Sequence, residues 1–524
     1  MPDPTSDRAT TAGRRTAIVV GGSTAGLLTA SVLATRFDEV TVVEADRLPE
    51  GPERRRGLPQ ARHAHLVWSG GVAALEDLLP GVTGELTAQG AGLIDVMKDL
   101  VSKAPTGQWF RRFTDSRHSM IVCSRDLLDA VVRAAVLGRG GVTLRDGTRV
   151  AGLVGDRDRV TGIRLSTGTG TGTGTGEGDG RGEGDGRGAG RGEGGGRGEG
   201  AGGDEGAGRG EGDRRGEGGG VLRADLVIDA TGRASQTPRW LTELGLPQVV
   251  ERVVDAGVAY ASRVYEAPPA TTALPRYPVV NVQADPRDAP GRGGVLVPIE
   301  GGRWLVTVSG TRGGQPSAAP AEFEHFALTG LRDPIIGRLI ANAKPLTDPV
   351  TTRSTANRRR YYENVRSWPE GFAVVGDAVA GYNPVYGHGI SVAAQSAIAV
   401  REVLDRHGPD TPGVARRIQR AVARPVGNAW NLAVGQDAYY PEAAPEPPKA
   451  VERLLTAYVD KAVAAGSANP RALHGLLDVM SLMTPPTRLF APDMLWHTLF
   501  GPRRTPLTEA PLSAAEREAA GLES

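Results

Sequence analysis

One cysteine, Cys123, stands in 524 residues, which excludes an intrachain disulfide and fits a reducing cytoplasm. Charge of one sign is equally scarce. Sixty-one Lys and Arg against 60 Asp and Glu leave a formal +1, no general pull toward nucleic acid or an anionic membrane. No His, Cys and carboxylate cluster has metal-ligand spacing, and no nucleophile elbow is present, so no metal site is expected. His63 and His65, two apart, read as a hydrogen-bonded loop element. The start, MPDPTSDRATTAGRR, resembles neither a signal nor a transit peptide. The stretch Ala17 to Ala34 has about bilayer length, but Gly21, Gly22 and Gly26 interrupt it and RFDEVTVVEADR follows directly. It reads as strand, turn and helix, and no transmembrane segment is expected.

The hydrophobic fraction of 39% is low for this length, and much of the deficit sits in one glycine-rich stretch. Residues 1–15 read as a disordered start. Residues 16–165 open with TAIVV as a buried strand, a helix from Gly26, and VTVVE as a parallel strand. Further helices are predicted around VWSGGVAALEDLL and behind Ser124 as N-cap. Residues 166–220 run in Gly-Thr, Gly-Arg and Gly-Glu repeats without apolar side chains to bury. They read as a disordered insert at a hairpin tip. Acidic residues outnumber arginines there and no aromatic is present, so no nucleic-acid role is assigned. Residues 221–250 resume the first domain at VLRADLVIDATGR. Residues 251–350 hold β-rich runs (VAYASRVY, VVNVQA, GGVLVPI, RWLVTVSG) that predict an antiparallel second domain. Residues 351–410 return to the first domain, and 411–524 read as a helical C-terminal region. The expected class is α/β: a Rossmann-like dinucleotide domain, an antiparallel-sheet substrate domain and C-terminal helices.

Two motifs carry chemistry. Gly21-Gly22-Ser23-Thr24-Ala25-Gly26, between strand and helix, is a G-x-G-x-x-G variant with Ser23 at the middle glycine. Gly21 suits a tight turn, Gly26 a close helix–strand approach, and the helix start faces a pyrophosphate. Glu44 closes the second strand, where an acid accepts hydrogen bonds from a ribose. Far downstream, GFAVVGDAVAGYNPVYGHG sets Gly376-Asp377 after a strand, then Pro384, Gly387 and Gly389 before a helix. A nicotinamide enzyme has no need of this second loop. FAD is longer: a remote carboxylate can hold its ribityl chain, and a helix start can meet the flavin pyrimidine, where negative charge accumulates on reduction.

With DLVIDATGR between them, these motifs resemble the group A flavoprotein monooxygenases. GLPQARHAH, SRDLLD, ADLVIDATGR, NVQADPRDAPGR, PIEGGRW, TVSGTRG, STANRR and GDAVAGYNPVYGHGIS narrow the likeness. From about Thr16 to Leu404, without the insert, the chain resembles the flavin-dependent epoxidases of polyether ionophore biosynthesis, of the lasalocid and monensin kind. The resemblance implies that Glu44 binds the adenosine ribose and that Arg55 and Gln60 lie along the ADP half of FAD. It places Arg125 at the ribityl or pyrophosphate, Asp377 at the ribityl hydroxyls, and Pro384 to Gly389 along the isoalloxazine. Tyr386 and His388 would flank the flavin. Two departures concern flavin reduction. Many members carry GDAAH where this chain reads GDAVA, and an Asp-Gly fingerprint of the hydroxylases is replaced by Ala230-Thr231-Gly232.

The activity so implied is epoxidation of a hydrophobic polyene polyketide, free or carrier-bound, by a flavin C4a-hydroperoxide made from O2. Electrons would come from NAD(P)H directly or through a flavin reductase. No protein nucleophile is required, so no residue is assigned as certainly catalytic. Tyr260, Asn281, Gln283, Pro298 and Trp304 are the candidate pocket walls, with core packing as the alternative for each. Aromatic hydroxylation uses the same oxidant. A halogenase is disfavoured because Val295-Leu296-Val297-Pro298-Ile299 stands where W-x-W-x-I-P is expected. A non-catalytic flavin-binding partner protein is the reading from another class.

Overall fold

A computed structural model describes residues 14–55, 57–114, 116–166, 220–502 and 504–522. The expectations for the first 13 residues and for 167–219 lie outside the described residues. The runs AIVV and VTVV are apolar without alternation, as strands covered on both faces require. They form Thr16–Val20 and Glu39–Val43 at the heart of a five-stranded parallel sheet, ordered Phe372–Val374, Leu226–Asp229, Thr16–Val20, Glu39–Val43, Val142–Arg145. Helix Thr24–Leu33 follows the first strand and packs against Arg125–Leu137 and Gly389–His407. Ser124 caps Arg125–Leu137, its hydroxyl accepting from Leu127 N at 3.1 Å. The strands on either side of the glycine-rich stretch, Val160–Leu165 and Val221–Arg223, pair antiparallel.

The second sheet has seven strands. Along its path they run Lys344–Pro345, Ala259–Glu266, Arg303–Gly310, Arg292–Ile299, Val279–Val282 and Leu100–Lys103, with Val350–Thr352 also paired to Ala259–Glu266. Pairing is antiparallel except at Leu100–Lys103, which comes from the first segment and joins Val279–Val282 in parallel. Nothing in LVSK marks it as a strand on its own; its partner creates it.

Strand side chains alternate between faces, and this alternation separates core from cavity here. Trp304, Val306 and Val308 face a buried cluster with Phe323, Ile336 and Leu339. Thr307 and Ser309 face the other way, toward the dinucleotide domain. Helices Val414–Asp437, Ala450–Gly466, Pro470–Met480 and Pro492–Phe500 complete the C-terminal region. No helix among the described residues is long and apolar enough to cross a membrane.

Candidate functional site

The turn after the first strand is held by its own geometry. Gly21 has φ of +107°, and a Cβ there would lie 2.5 Å from the Ala230 carbonyl oxygen. A Cβ on Gly26 would collide with the Gly21 carbonyl, so helix Thr24–Leu33 starts as close to the strand as backbone allows. Ser23 is the N-cap in extended conformation, yet its side chain makes no cap and the first turn holds no acid. That leaves the helix start with its positive end uncompensated, suited to an anion.

Glu44 braces this turn. Its carboxylate accepts from Gly22 N at 2.7 Å and Asp46 N at 2.9 Å, with Arg55 Nη1 at 3.5 Å. Arg125, buried at its helix start, donates to Thr24 Oγ1 at 2.8 Å and to Asp129 Oδ1 at 2.9 Å, while Thr24 donates to the same Asp129 oxygen. Gln60 stands exposed on the 3-10 turn Pro59–Arg62, with no side-chain partner among the described residues.

The downstream loop meets this turn from far along the sequence, Gly376 against Ala25. Gly376, with φ of +63°, sits so near Ala25 that an added Cβ would lie 2.7 Å from the Ala25 Cβ. Asp377 stands between Gly232 and Gly389, each 4.0 Å away measured from a Cβ built on the glycine, and Arg233 Nε lies 3.9 Å from its carboxylate. Burial pushes the Asp377 carboxyl up, with Arg233 and Arg125 pulling the other way. Helix Gly389–His407, behind it, also starts without a side-chain cap or an acid in its first turn.

From Asp377 the chain enters the 3-10 turn Pro384–Tyr386 and then Gly387, φ +66°. Trp68 Nε1 donates to the Tyr386 carbonyl at 3.1 Å and fixes the turn. The His388 ring stacks on that of Tyr386, with centroids 6.2 Å apart. Its Nε2 bonds the Met480 carbonyl at 2.9 Å, and burial lowers its pKa to about 4, so it is a neutral tie to the C-terminal helices.

Pro384, Val385, Tyr386 and Gly387 form one wall of a cavity of about 970 Å³. Tyr260, Asn281 and Gln283 line it as well, the two amides donating to Ser102 Oγ at 3.5 and 3.0 Å. Pro298 and Trp304 do not line it, which corrects their assignment as walls. They pair across the strands with each other, and Trp304 packs at 5.1 Å against Tyr277 in the core on the far face. Strand parity decides this, and residue type gives no sign of it.

The C-terminal helices supply much of the remaining wall, including Trp430, Val434, Val459, Leu476 and Phe490. They also supply Asp437, which sequence reading missed. Asp437 is buried at the end of helix Val414–Asp437. It accepts from Tyr386 OH at 2.6 Å, Asn357 Nδ2 at 2.6 Å and Asn383 Nδ2 at 2.9 Å. Tyr260 OH donates to Asn383 Oδ1 and ties the sheet into the same network. A lone acid in an amphipathic helix carries no motif. Thr24, Asp129 and Arg233 were missed as well; of these, Asp129 had a faint signal as the i+4 partner of Arg125.

His63, also on the cavity boundary, bonds Ser262 Oγ through Nδ1 at 2.8 Å, and burial with Arg62 and Arg54 lowers its pKa to about 4. His65 Nδ1 bonds the His63 carbonyl at 2.8 Å, as a loop element does.

No family model matches the chain. A Mycobacterium tuberculosis protein, Rv3254, is 27% identical over 481 residues, 89% of each chain. Among solved structures, HpxO of Klebsiella pneumoniae, complexed with FAD and uric acid, superposes with a TM-score of 0.55 at 16% identity, covering 90% of this chain and 98% of its own. PqsL of Pseudomonas aeruginosa, described as a probable FAD-dependent monooxygenase, gives 0.53 at 18% identity, covering 81% and 94%. The chain therefore has the fold found in FAD-binding oxygenases of this type: a parallel-sheet core, an antiparallel sheet and a helical C-terminal region.

Proposed function

We propose that the chain is an FAD-dependent monooxygenase whose substrate occupies the cavity behind the Pro384–Gly387 turn. One observation carries this reading: the segment that brings Gly376 against Ala25 of the glycine-rich turn, with Asp377 next to it, continues directly into the cavity wall. A cofactor spanning both turns would end at the substrate.

The residues fit FAD. The uncapped start of helix Thr24–Leu33, with Ser23, Ala25 and Arg125 around it, would take the pyrophosphate. Glu44 would hold the adenosine ribose with Arg55 beside it, and Asp377 the ribityl hydroxyls. Gly387 and Gly389 give the isoalloxazine close access to backbone N–H groups at a second uncapped helix start. Bound flavin, once reduced by NAD(P)H directly or through a flavin reductase, supplies the activation of O2. The chain's own residues orient the substrate and exclude water, through apolar side chains from both the sheet and the C-terminal helices.

Within that class, the reading is epoxidation of alkenes in a polyene polyketide, free or carrier-bound, in polyether-type biosynthesis in the cytoplasm. The motif resemblance and a largely apolar cavity of about 970 Å³ support it. A second reading, hydroxylation of an activated ring, is favoured by one observation, the Tyr386–Asp437 contact on the same wall as the flavin turn.

The test is direct. The purified chain should be yellow, retain FAD, and with NAD(P)H, a flavin reductase and isotopically labelled O2 add single labelled oxygen atoms to a polyene. An intact chain that takes up no FAD overturns the reading. So does FAD-loaded protein that oxygenates neither a polyene nor a phenol, which leaves the non-catalytic flavin protein.

A further inference from the structure

Asp437 is a buried carboxylate with no counter-ion among the described residues. Its two oxygens meet three donors, from Tyr386, Asn357 and Asn383, and none of these is charged. Tyr260 reaches it through Asn383; Asp255 and Tyr440 are the other titratable groups that act on it. No cation is in ion-pair contact with it among the described residues. Three donors around two oxygens suit the ionised acid; the protonated form would have only the Tyr386 oxygen as acceptor for its O–H. Burying such a group costs stability, offset here only by neutral donors.

Tyr386 joins this acid to the cavity. Its ring lines the wall, half-buried, and its single proton is committed to Asp437 Oδ1. The phenol oxygen is thereby left as an acceptor. We infer that Tyr386 and Asp437 form a proton-accepting pair for a hydroxyl group of the substrate. The inference rests on reading the cavity as the substrate chamber. The substrate O–H donates to the Tyr386 oxygen, and when that hydroxyl is as acidic as a phenol or enol its proton passes over. One O–H bond breaks on the substrate and one forms on Tyr386, while the Tyr386 proton moves to Asp437 Oδ1. The negative charge passes from Asp437 to the substrate oxygen, so no additional charge is buried. Burial, which pushes the Asp437 carboxyl up, makes it a better base for this purpose. The ligand class is an apolar molecule bearing a hydroxyl, against which a carboxylate-bearing analogue is repelled.

The probes are para-nitrophenol, its methyl ether para-nitroanisole and para-nitrobenzoate. Each is titrated into the protein with oxidised FAD and no reductant, so no turnover occurs. A hydrogen bond assisted by a charge is worth about 1.5 to 3 kcal/mol, so the phenol should bind at least about tenfold tighter than the ether. The absorbance of the bound phenol should shift toward that of its ionised form relative to the phenol bound to the folded variants, and the benzoate should bind most weakly. Tyr386→Phe and Asp437→Asn should each bring phenol and ether within about twofold and return the bound phenol to its neutral spectrum, compared at equal FAD occupancy. If Asp437→Asn does not fold, Tyr386→Phe decides alone, since it removes one hydroxyl and leaves both asparagine donors. A preference that survives in the folded variants, or is absent from the native chain, overturns the inference. A chain that discriminates the probes but holds no FAD sinks the monooxygenase reading and leaves this one standing.

Discussion

Gly376→Ala isolates the contact between the two turns. The native residue has φ of +63°, and an alanine there pays about 1 to 2 kcal/mol for the left-handed backbone. The new methyl would lie 2.7 Å from the Ala25 Cβ, and overpacking of this kind costs about 1 to 3 kcal/mol. Together, about 2 to 5 kcal/mol must be relieved, and the easiest relief is to part the turns, which removes the shared cradle. If FAD binding bears the whole strain, its Kd rises about 30-fold at the lower bound and above about a thousandfold at the upper. Flavin fluorescence titration reads the Kd, and melting of apo- and holoprotein separates binding from folding. Ala25→Gly in the same chain removes the steric part and leaves the backbone part, so the double variant should recover to within about 5- to 30-fold of native. A Kd within twofold of native for Gly376→Ala, or no recovery on adding Ala25→Gly, refutes the reasoning. If apoprotein and holoprotein lose the same stability, the contact is structural and the turns do not share a ligand.

Glu44→Gln places an amide N–H₂ where Glu44 now accepts from Gly22 N or Asp46 N; one buried donor then loses its partner, at about 1 to 3 kcal/mol. The FAD Kd should rise about 5- to 150-fold, measured by the same titration. Trp304→Phe should lower the melting temperature but leave cavity ligand affinity within about twofold, because Trp304 packs on the far face of the sheet. A large affinity change there would return Trp304 to the cavity wall. His63 and His388 are held neutral, with pKa lowered to about 4 from an ordinary 6.5. Between those values the unfolded chain binds more protons, so the stability they contribute is complete above pH 6.5 and is lost as pH falls toward 4. His388→Gln, which keeps a donor for the Met480 carbonyl, should flatten the fall in melting temperature across that window.

Elements defined by local pattern were readable in the sequence. Thr16–Val20, Glu39–Val43 and the capped helix Arg125–Leu137 follow from apolar runs and one serine, and the glycine turn from Gly21 and Gly26. The second sheet was readable as antiparallel, but not its edge, because Leu100–Lys103 becomes a strand only beside Val279–Val282. Parity was the next loss. Trp304 and Thr307 lie on one strand, and only its registration with Ala259–Glu266 says which of them faces the cavity. Asp437 was invisible for a stronger reason. Its partners Asn357, Asn383 and Tyr386 lie 80, 54 and 51 positions away in sequence and meet it only when the C-terminal helix closes over the Pro384–Tyr386 turn.

Counter-charge distinguishes the acids around the two glycine turns from Asp437. Around the turns Glu44 has Arg55, Asp129 has Arg125 and Asp377 has Arg233, at 3.5, 2.9 and 3.9 Å. Three acids so paired leave no net repulsion toward a doubly anionic pyrophosphate, and two uncapped helix starts add attraction. In the cavity Asp437 has only neutral donors, and the potential it sets up opposes any anionic group that comes near. The Tyr386–Asp437 end of the cavity thus disfavours an anion, whereas Arg111, Arg252, Arg287 and Arg453 on its boundary leave the rest of the wall without that bias.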